Sequence, residues 1–252
     1  MGSVLKPKRS DVKYVVSWQQ QGASKIEEKA LPESLTRRKD VKIVVSKERG
    51  LAKNRNTALK FATGDILLLA DDDVEYEEGA FDLIKTCFDS SDSDILCFQA
   101  ADREGNLLHN YSPHPFTYDK KPRGTYFSSI EIAMRRLPTL PRFDERFGIG
   151  SPILGAGEEE VFLFEAHKAG LKISYLPLQI VRTNPDTTGT HYLSSPALWR
   201  TKGAVLYVMH GVLGAALRSA KDAFTRRGLR DRMAVLNEMF KGIRYIRTTQ
   251  KP

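Results

Sequence analysis

The sequence is poor in the features that mark a secreted, membrane-spanning or cysteine-built protein. Of its 252 residues only two are cysteines, Cys87 and Cys97. They show no metal-ligand spacing and no disulfide framework, which points to a reducing compartment. No signal peptide is expected, because Lys6, Lys8, Arg9, Asp11 and Lys13 are followed by only a short apolar run. The most apolar stretch late in the chain, Gly203 to Leu217, holds three glycines and His210. At about fifteen residues it falls short of the ~18–20 that a bilayer span needs. There is no internal repeat and no nucleic-acid recognition motif.

What remains is 41% hydrophobic and 28% charged, enough chain for one large domain or a domain with an appendage. The formal charge of +8 is unevenly spread. From Arg200 onward twelve cations (Arg200, Lys202, Arg218, Lys221, Arg226, Arg227, Arg230, Arg232, Lys241, Arg244, Arg247 and Lys251) face only Asp222, Asp231 and Glu238. A basic tail of this kind points to an anionic partner: a membrane surface, a nucleic acid or a phosphorylated ligand.

The most informative stretch runs from Gly64 to Glu78. Ile66-Leu67-Leu68-Leu69-Ala70 reads as a strand buried on both faces, as in the middle of a parallel sheet. It leads straight into Asp71-Asp72-Asp73. Three carboxylates at the end of a buried strand call for a cation, and Mg²⁺ or Mn²⁺, held by one or two carboxylates plus substrate phosphates, is the usual answer. Ligands of open α/β sheets gather at the carboxyl ends of strands, where these aspartates fall. The alternative is a solvated turn in which Asp73 caps a helix starting near Glu75.

Around this stretch, strands and helices alternate. Tyr14–Trp18 and Val41–Val45 read as strands, with a weak helical segment broken by Pro32 between them. A helix presenting Ala58, Leu59, Phe61 and Ala62 as its buried face is expected to end at Gly64. A helix over Gly79–Phe88 and a strand over Ile95–Phe98 continue the pattern. Asp102 to Thr125, rich in Gly, Pro, His, Tyr and Lys, reads as a long loop carrying His109 and His114. Ser128–Arg136 reads as a further strand. Glu158, Glu159 and Glu160 open an amphipathic helix that ends at Gly170, where acids complement the helix dipole. A last strand, Lys172–Leu176, stops at Pro177, and everything from Ser194 reads as helix. The alternation predicts an α/β fold, a mostly parallel sheet flanked by helices with a helical C-terminal extension. The apolar stretch followed by a basic amphipathic one suits either an interfacial element or a pair of ordinary packed helices.

Several segments together resemble the family 2 glycosyltransferases of the GT-A fold. They are Gly50-Leu51-Ala52 with Arg55-Asn56, Ala62-Thr63-Gly64-Asp65 with the strand into Asp71-Asp72-Asp73, Phe143-Asp144-Glu145 with Phe147-Gly148, and Gly157-Glu158-Glu159 with Ala169-Gly170. The likeness covers roughly Val12 to Pro177. It implies a GT-A-like domain over 1–192 and a basic helical extension over 193–252. It also implies an inverting, metal-dependent transfer from a nucleotide-sugar donor, most often a UDP-sugar, to a saccharide acceptor, lipid-linked ones included. That is the chemistry of bacterial surface polysaccharide assembly, at the cytoplasmic side of the cell membrane. By the resemblance, Asp71-Asp72-Asp73 is the D-x-D motif, with Asp73 the Mn²⁺ or Mg²⁺ ligand and Asp71 nearer the ribose or diphosphate. Arg55 and Asn56 lie by the nucleotide, Glu158 and Glu159 form the acceptor-side acid pair, and Glu159 is the base. His191 is a further candidate metal or phosphate contact, weighed against an exposed loop histidine.

In one respect the sequence departs from the family pattern, which opens with two strands before the one at Val41. Tyr14–Trp18 takes the place either of the second, which sets Gln19 where an acidic base-binding residue is usual, or of the first. The departure motivates a second reading, a non-catalytic scaffold or sugar-binding subunit on the same fold. Nucleic-acid binding rests on the basic tail alone.

Overall fold

Local sequence signals fold most of the chain as expected. In the computed structural model, which describes residues 5–20, 33–184, 195–225 and 231–251, the order is β1 (Tyr14–Gln19), α1 (Glu33–Thr36), β2 (Val41–Ser46), α2 (Leu51–Phe61), β3 (Ile66–Leu68), β4 (Glu75–Tyr76), α3 (Ala80–Asp89), β5 (Ile95–Ala101), β6 (Phe116–Thr117), β7 (Ile132–Arg135), α4 (Glu158–Lys168), β8 (Ile173–Arg182), α5 (Pro196–Thr225) and α6 (Arg232–Thr248). The described residues form two compact units. One draws on Met1–Lys47, Thr57–Pro141 and Glu165–Pro185, the other on Glu48–Asn56, Arg142–Phe164 and Asp186–Pro252. The boundary expected at 192/193 lies outside the described residues.

Among the described residues, the first unit holds all the strands. β1 and β2 pair in parallel from Tyr14 opposite Val41 to Gln19 opposite Ser46, as a sheet of their own. The larger sheet runs β3-β7-β5-β8-β4, with β6 added on β8. The α/β class stands, but the pairing is mixed where a mostly parallel sheet was expected. β5 and β8 run parallel, whereas β3 with β7, β5 with β7, β4 with β8 and β6 with β8 are antiparallel. The reason is local: β7 is entered from a long loop and a 3₁₀ turn at Ser129–Glu131, not from a crossover helix.

The central strand is β5, buried at all seven positions. The run expected to be central, Ile66–Ala70, supplies the edge strand β3 instead. Leu67 and Leu69 are buried while Ile66 and Leu68 are half-buried, a one-sided alternation. Pro177 does not end the last strand. β8 bulges past it, so that paired residues skip from Tyr175 opposite Cys97 to Gln179 opposite Gln99. Proline has no N–H for the ladder, and a bulge accommodates it. Gly64 does not cap α2, which stops at Phe61. Gly170 does cap α4: at φ 84°, it donates to His167 O while Leu171 donates to Ala166 O. The core packs Val74, Tyr76, Ile84 and Phe88 against Leu96, Phe98 and Ile180.

The second unit is built on α5 and α6. Small residues let the two helices meet main chain to main chain: a Cβ on Gly203 would collide with Met239 O, and one on Gly242 with Arg200 O. Phe147, Leu154, Val161, Ala204, Val205 and Ile246 form its apolar centre. Asp231 caps α6 by accepting from Ala234 N at 2.8 Å. Glu238 joins the helices, accepting from Arg200 Nη2 at 2.6 Å and from Lys241 Nζ at 2.5 Å.

That last pairing gives stability a pH dependence. Burial alone would push the Glu238 carboxyl up, but the bonds from Lys241 and Arg200 outweigh burial and hold it below the usual range. A depressed folded pKa contributes stability that is present above the unfolded value, near 4.3, and is lost as pH falls through the folded value. Glu238→Gln is therefore expected to lower stability by about 1 kcal/mol or less at pH 7. Denaturant melts of both proteins down a pH series should show that gap closing at acid pH.

Candidate active site

The two acidic groups picked out from the sequence fall in different units. In the first unit β3 leaves the sheet through Leu69 and Ala70 into Asp71, and Asp72–Asp73 make the turn that returns the chain as β4. No helix starts at Glu75, so Asp73 is not a helix cap; α3 begins at Ala80. The buried Tyr76 hydroxyl pins this turn by donating to Leu69 O at 3.2 Å. Burial, and secondarily the charge of Asp71, push the Tyr76 phenol far above its ordinary value, so it stays a donor. Asp71 is half-buried, whereas Asp72 and Asp73 are exposed and have no ion-pair partner among the described residues.

The donor set at this turn is carboxylate oxygen only. Among the described residues, no group of three or more His, Cys, Asp or Glu side chains is gathered for a metal. One or two carboxylates with the remaining positions left to water or phosphate is the arrangement Mg²⁺ and Mn²⁺ favour, so these residues fit a hard divalent ion. Gln19 ends β1, half-buried and opposite Ser46. His191 lies outside the described residues. His109 Nε2 sits 3.4 Å from Glu131 Oε1 in a buried polar group with Tyr111.

In the second unit the first turn of α4 carries Glu158 and Glu159, which are buried, not merely exposed acids facing a helix dipole. Arg55, itself only 7% exposed, reaches both: its Nη1 lies 2.9 Å from Glu158 Oε1 and 2.9 Å from Glu159 Oε1. The guanidinium also lies over the Phe143 ring, 5.7 Å from its centre, and Phe143 stacks on Phe162 at 4.4 Å. Asn56 spends both ends of its amide. It donates to Phe143 O at 2.9 Å and to Glu145 Oε1 at 3.0 Å, and accepts from Phe143 N at 2.8 Å.

Arg55 and Asn56 were expected beside the nucleotide. Here both are buried and engaged within the second unit, Arg55 with the acid pair and Asn56 with the segment that supports Arg55. The buried stripe of α2 is Ala52, Arg55 and Asn56, at i, i+3 and i+4. The apolar positions expected on that face, Ala58, Leu59, Phe61 and Ala62, are only half-buried.

Two glycines set the acids in place. Gly148, at φ 94°, lies so close to Glu158 that a Cβ there would be 3.0 Å from its carboxyl carbon. Gly157, at φ 89°, precedes the helix, and a Cβ on it would lie 2.8 Å from Val205 Cγ2 of α5. The Phe143–Gly148 segment is fastened at its middle. Asp144, buried, accepts from Arg146 Nε and Nη2 at 2.9 and 2.6 Å, and Arg146 Nη1 donates to Thr249 O at 2.6 Å just past α6. Glu158 Oε2 is buried with no hydrogen-bond partner among the described residues. An ionised oxygen without a donor at such depth is costly unless a ligand hydroxyl supplies one.

The sequence profile of glycosyl transferase family 2 matches residues 22–145. The chain is a glycosyltransferase, similar to that family over this stretch. The acidic turn and Arg55-Asn56 of this glycosyltransferase lie inside the matched stretch, and the acid pair lies beyond it.

Solved structures share its fold at low identity. The S. aureus TarS 1–349 structure in complex with UDP-GlcNAc is 17% identical, with TM-score 0.55, over 93% of this chain and 73% of that one. TarS 1–349 in complex with UDP is 17% identical, with TM-score 0.56, over 96% and 74%. GalNAc-T7 with UDP, GalNAc and Mn²⁺ is 12% identical, with TM-score 0.58, over 96% of this chain and 51% of that one. No curated protein sequence matches the chain. The likeness to the solved structures is one of fold.

Proposed function

We propose that this glycosyltransferase moves a sugar from a nucleotide-sugar donor to a saccharide acceptor by a single inverting displacement. The observation that carries the reading is the buried acid pair held by Arg55 at the start of α4, in a chain whose strand exit at Asp71–Asp73 offers oxygen ligands alone. Structures of the same fold in complex with UDP-GlcNAc, and with UDP, GalNAc and Mn²⁺, support a UDP-sugar as the first donor to test.

Asp73 and Asp71 would hold Mn²⁺ or Mg²⁺, which when bound would supply Lewis-acid stabilisation of charge on the departing diphosphate. Asp72 and Gln19 contribute to the donor side. Glu159 takes the proton from the acceptor hydroxyl as that oxygen attacks the anomeric carbon. Glu158 presents its unpartnered oxygen to the acceptor. Arg55 orients both carboxylates and offsets their charge, so it acts through the acids. Asn56 holds Phe143 and thereby the floor under Arg55. The acceptor class includes lipid-linked saccharides, which would set the enzyme at the cytoplasmic face of a membrane.

The test is a panel of nucleotide sugars titrated with and without Mn²⁺. Saturable, Mn²⁺-dependent binding of one donor with slow hydrolysis is expected, and transfer from an α-linked donor should give a β-linked product by NMR. A panel silent towards every donor would instead favour a non-catalytic subunit of the same fold, and a product with retained configuration would refute the single displacement.

A further inference from the structure

Gly211, at φ 68° and ψ −174°, breaks α5 into Pro196–His210 and Val212–Thr225. As one rod the helix is long and apolar enough to cross a membrane. As two pieces, each is roughly 22 Å long, short of a hydrocarbon core of about 30 Å. The first piece is also used elsewhere, since Leu198, Trp199, Ala204 and Val205 are buried in the second unit. The second piece is divided lengthwise. Ala215, Ser219 and Ala223, spaced by four, are fully buried. On the other side Leu213 is 80% exposed, Leu217 73% and Phe224 47%, at i, i+4 and i+11, one continuous stripe.

The charges beside this stripe are of one sign. All three acids of the C-terminal region are already engaged: Asp222 pairs with Lys202, Glu238 with Arg200 and Lys241, and Asp231 caps α6. Arg218 and Lys221 on the same half-helix, and Arg232, whose Nη1 donates to Phe224 O at 2.9 Å, have no acidic partner among the described residues. An apolar stripe bordered by uncompensated cations suits a surface that is oily within and anionic at its rim. A second copy of the chain suits it poorly, because the same stripe face to face would set Arg218 and Lys221 of one copy against those of the other.

We infer that the Val212–Thr225 half of α5 docks on an anionic lipid surface, Leu213, Leu217 and Phe224 entering the acyl boundary while Arg218 and Lys221 meet headgroup phosphates. The inference agrees with the lipid-linked acceptor proposed above, but it stands on the helix alone and is read without donor or acceptor. Its failure and the failure of the transferase reading are therefore separate results.

The experiment is co-sedimentation of the full chain with vesicles of phosphatidylcholine alone and with a third phosphatidylglycerol. Binding is expected to the anionic vesicles, weakening with salt. It should drop by at least about tenfold in Leu213→Asp/Leu217→Asp, and by about fivefold for each of Arg218→Glu and Lys221→Glu. These side chains are exposed, so the circular dichroism of each variant should match the parent. The inference is overturned if the parent ignores anionic vesicles, or if the leucine variant binds them as well as the parent. It is equally overturned if the parent is a dimer that the leucine substitutions dissociate while vesicle binding is absent.

Discussion

Glu159→Gln is expected to lower kcat by about 10²–10⁴ while leaving donor affinity within a few-fold of the parent. The amide keeps the shape and still accepts from Arg55 Nη1, which now lies 2.9 Å from Glu159 Oε1, but it cannot take a proton. Loss of kcat without loss of donor binding is the signature of a group that acts only when the acceptor reacts. The comparison with Glu158→Gln sharpens the assignment. Glu158 shares the guanidinium, and its second oxygen has no partner among the described residues, so its amide should weaken acceptor binding and raise the acceptor KM more than it lowers kcat. Steady-state kinetics on both variants, with acceptor varied at saturating donor, separates the two roles. Equal losses of kcat from both would contradict the division.

Arg55→Met should be the most destabilising single change in the site. It removes the cation that faces two carboxylates, each about 95% or more buried. Deleting one side of a buried ion pair typically costs about 3–5 kcal/mol, because the remaining charge is left without water or partner. The loss should be partly relieved in Arg55→Met/Glu158→Gln, since one of the stranded charges is then gone. Urea unfolding of the parent and the two variants reads this directly. A loss under about 1 kcal/mol in the single variant would mean that Arg55 does not hold the acids.

The parts of the fold that were legible in the sequence are those settled within a few residues. Val41–Val45 and Ile95–Phe98 are strands because apolar, β-favouring residues run between turn signals. α4 stops where Gly170 can take a positive φ, a choice made by one residue. The misplacements share a cause, which is that the deciding partner is distant. Ile66–Ala70 is apolar enough for a central strand, yet it lies at the sheet edge because β7 arrives antiparallel and fills the place beside β5. Pro177 ended a strand on local rules, but the pairing of β8 with β5 carries the strand through a bulge.

Among the candidate residues, the acid pair and the aspartate turn could be singled out from the sequence, whereas the partner of the acids could not. Arg55 stands 103 and 104 positions before Glu158 and Glu159. One local signal was available: Ala52, Arg55 and Asn56 share a helical face. Polar residues on a face that is to be buried ask for a partner. The glycine words of the resemblance also have a physical reading now, since Gly148 and Gly157 are the spaces into which Glu158 and Val205 fit.

The measurement that bears most directly on the whole account is Mn²⁺-dependent calorimetry with the donor found in the panel, run on the parent, Asp73→Ala and Glu159→Gln. The account predicts saturable binding in the parent, loss of at least about tenfold in affinity for Asp73→Ala, and near-parent affinity in a Glu159→Gln protein that no longer turns over. Parent-like, Mn²⁺-dependent donor binding in Asp73→Ala, or full turnover in Glu159→Gln, would contradict it.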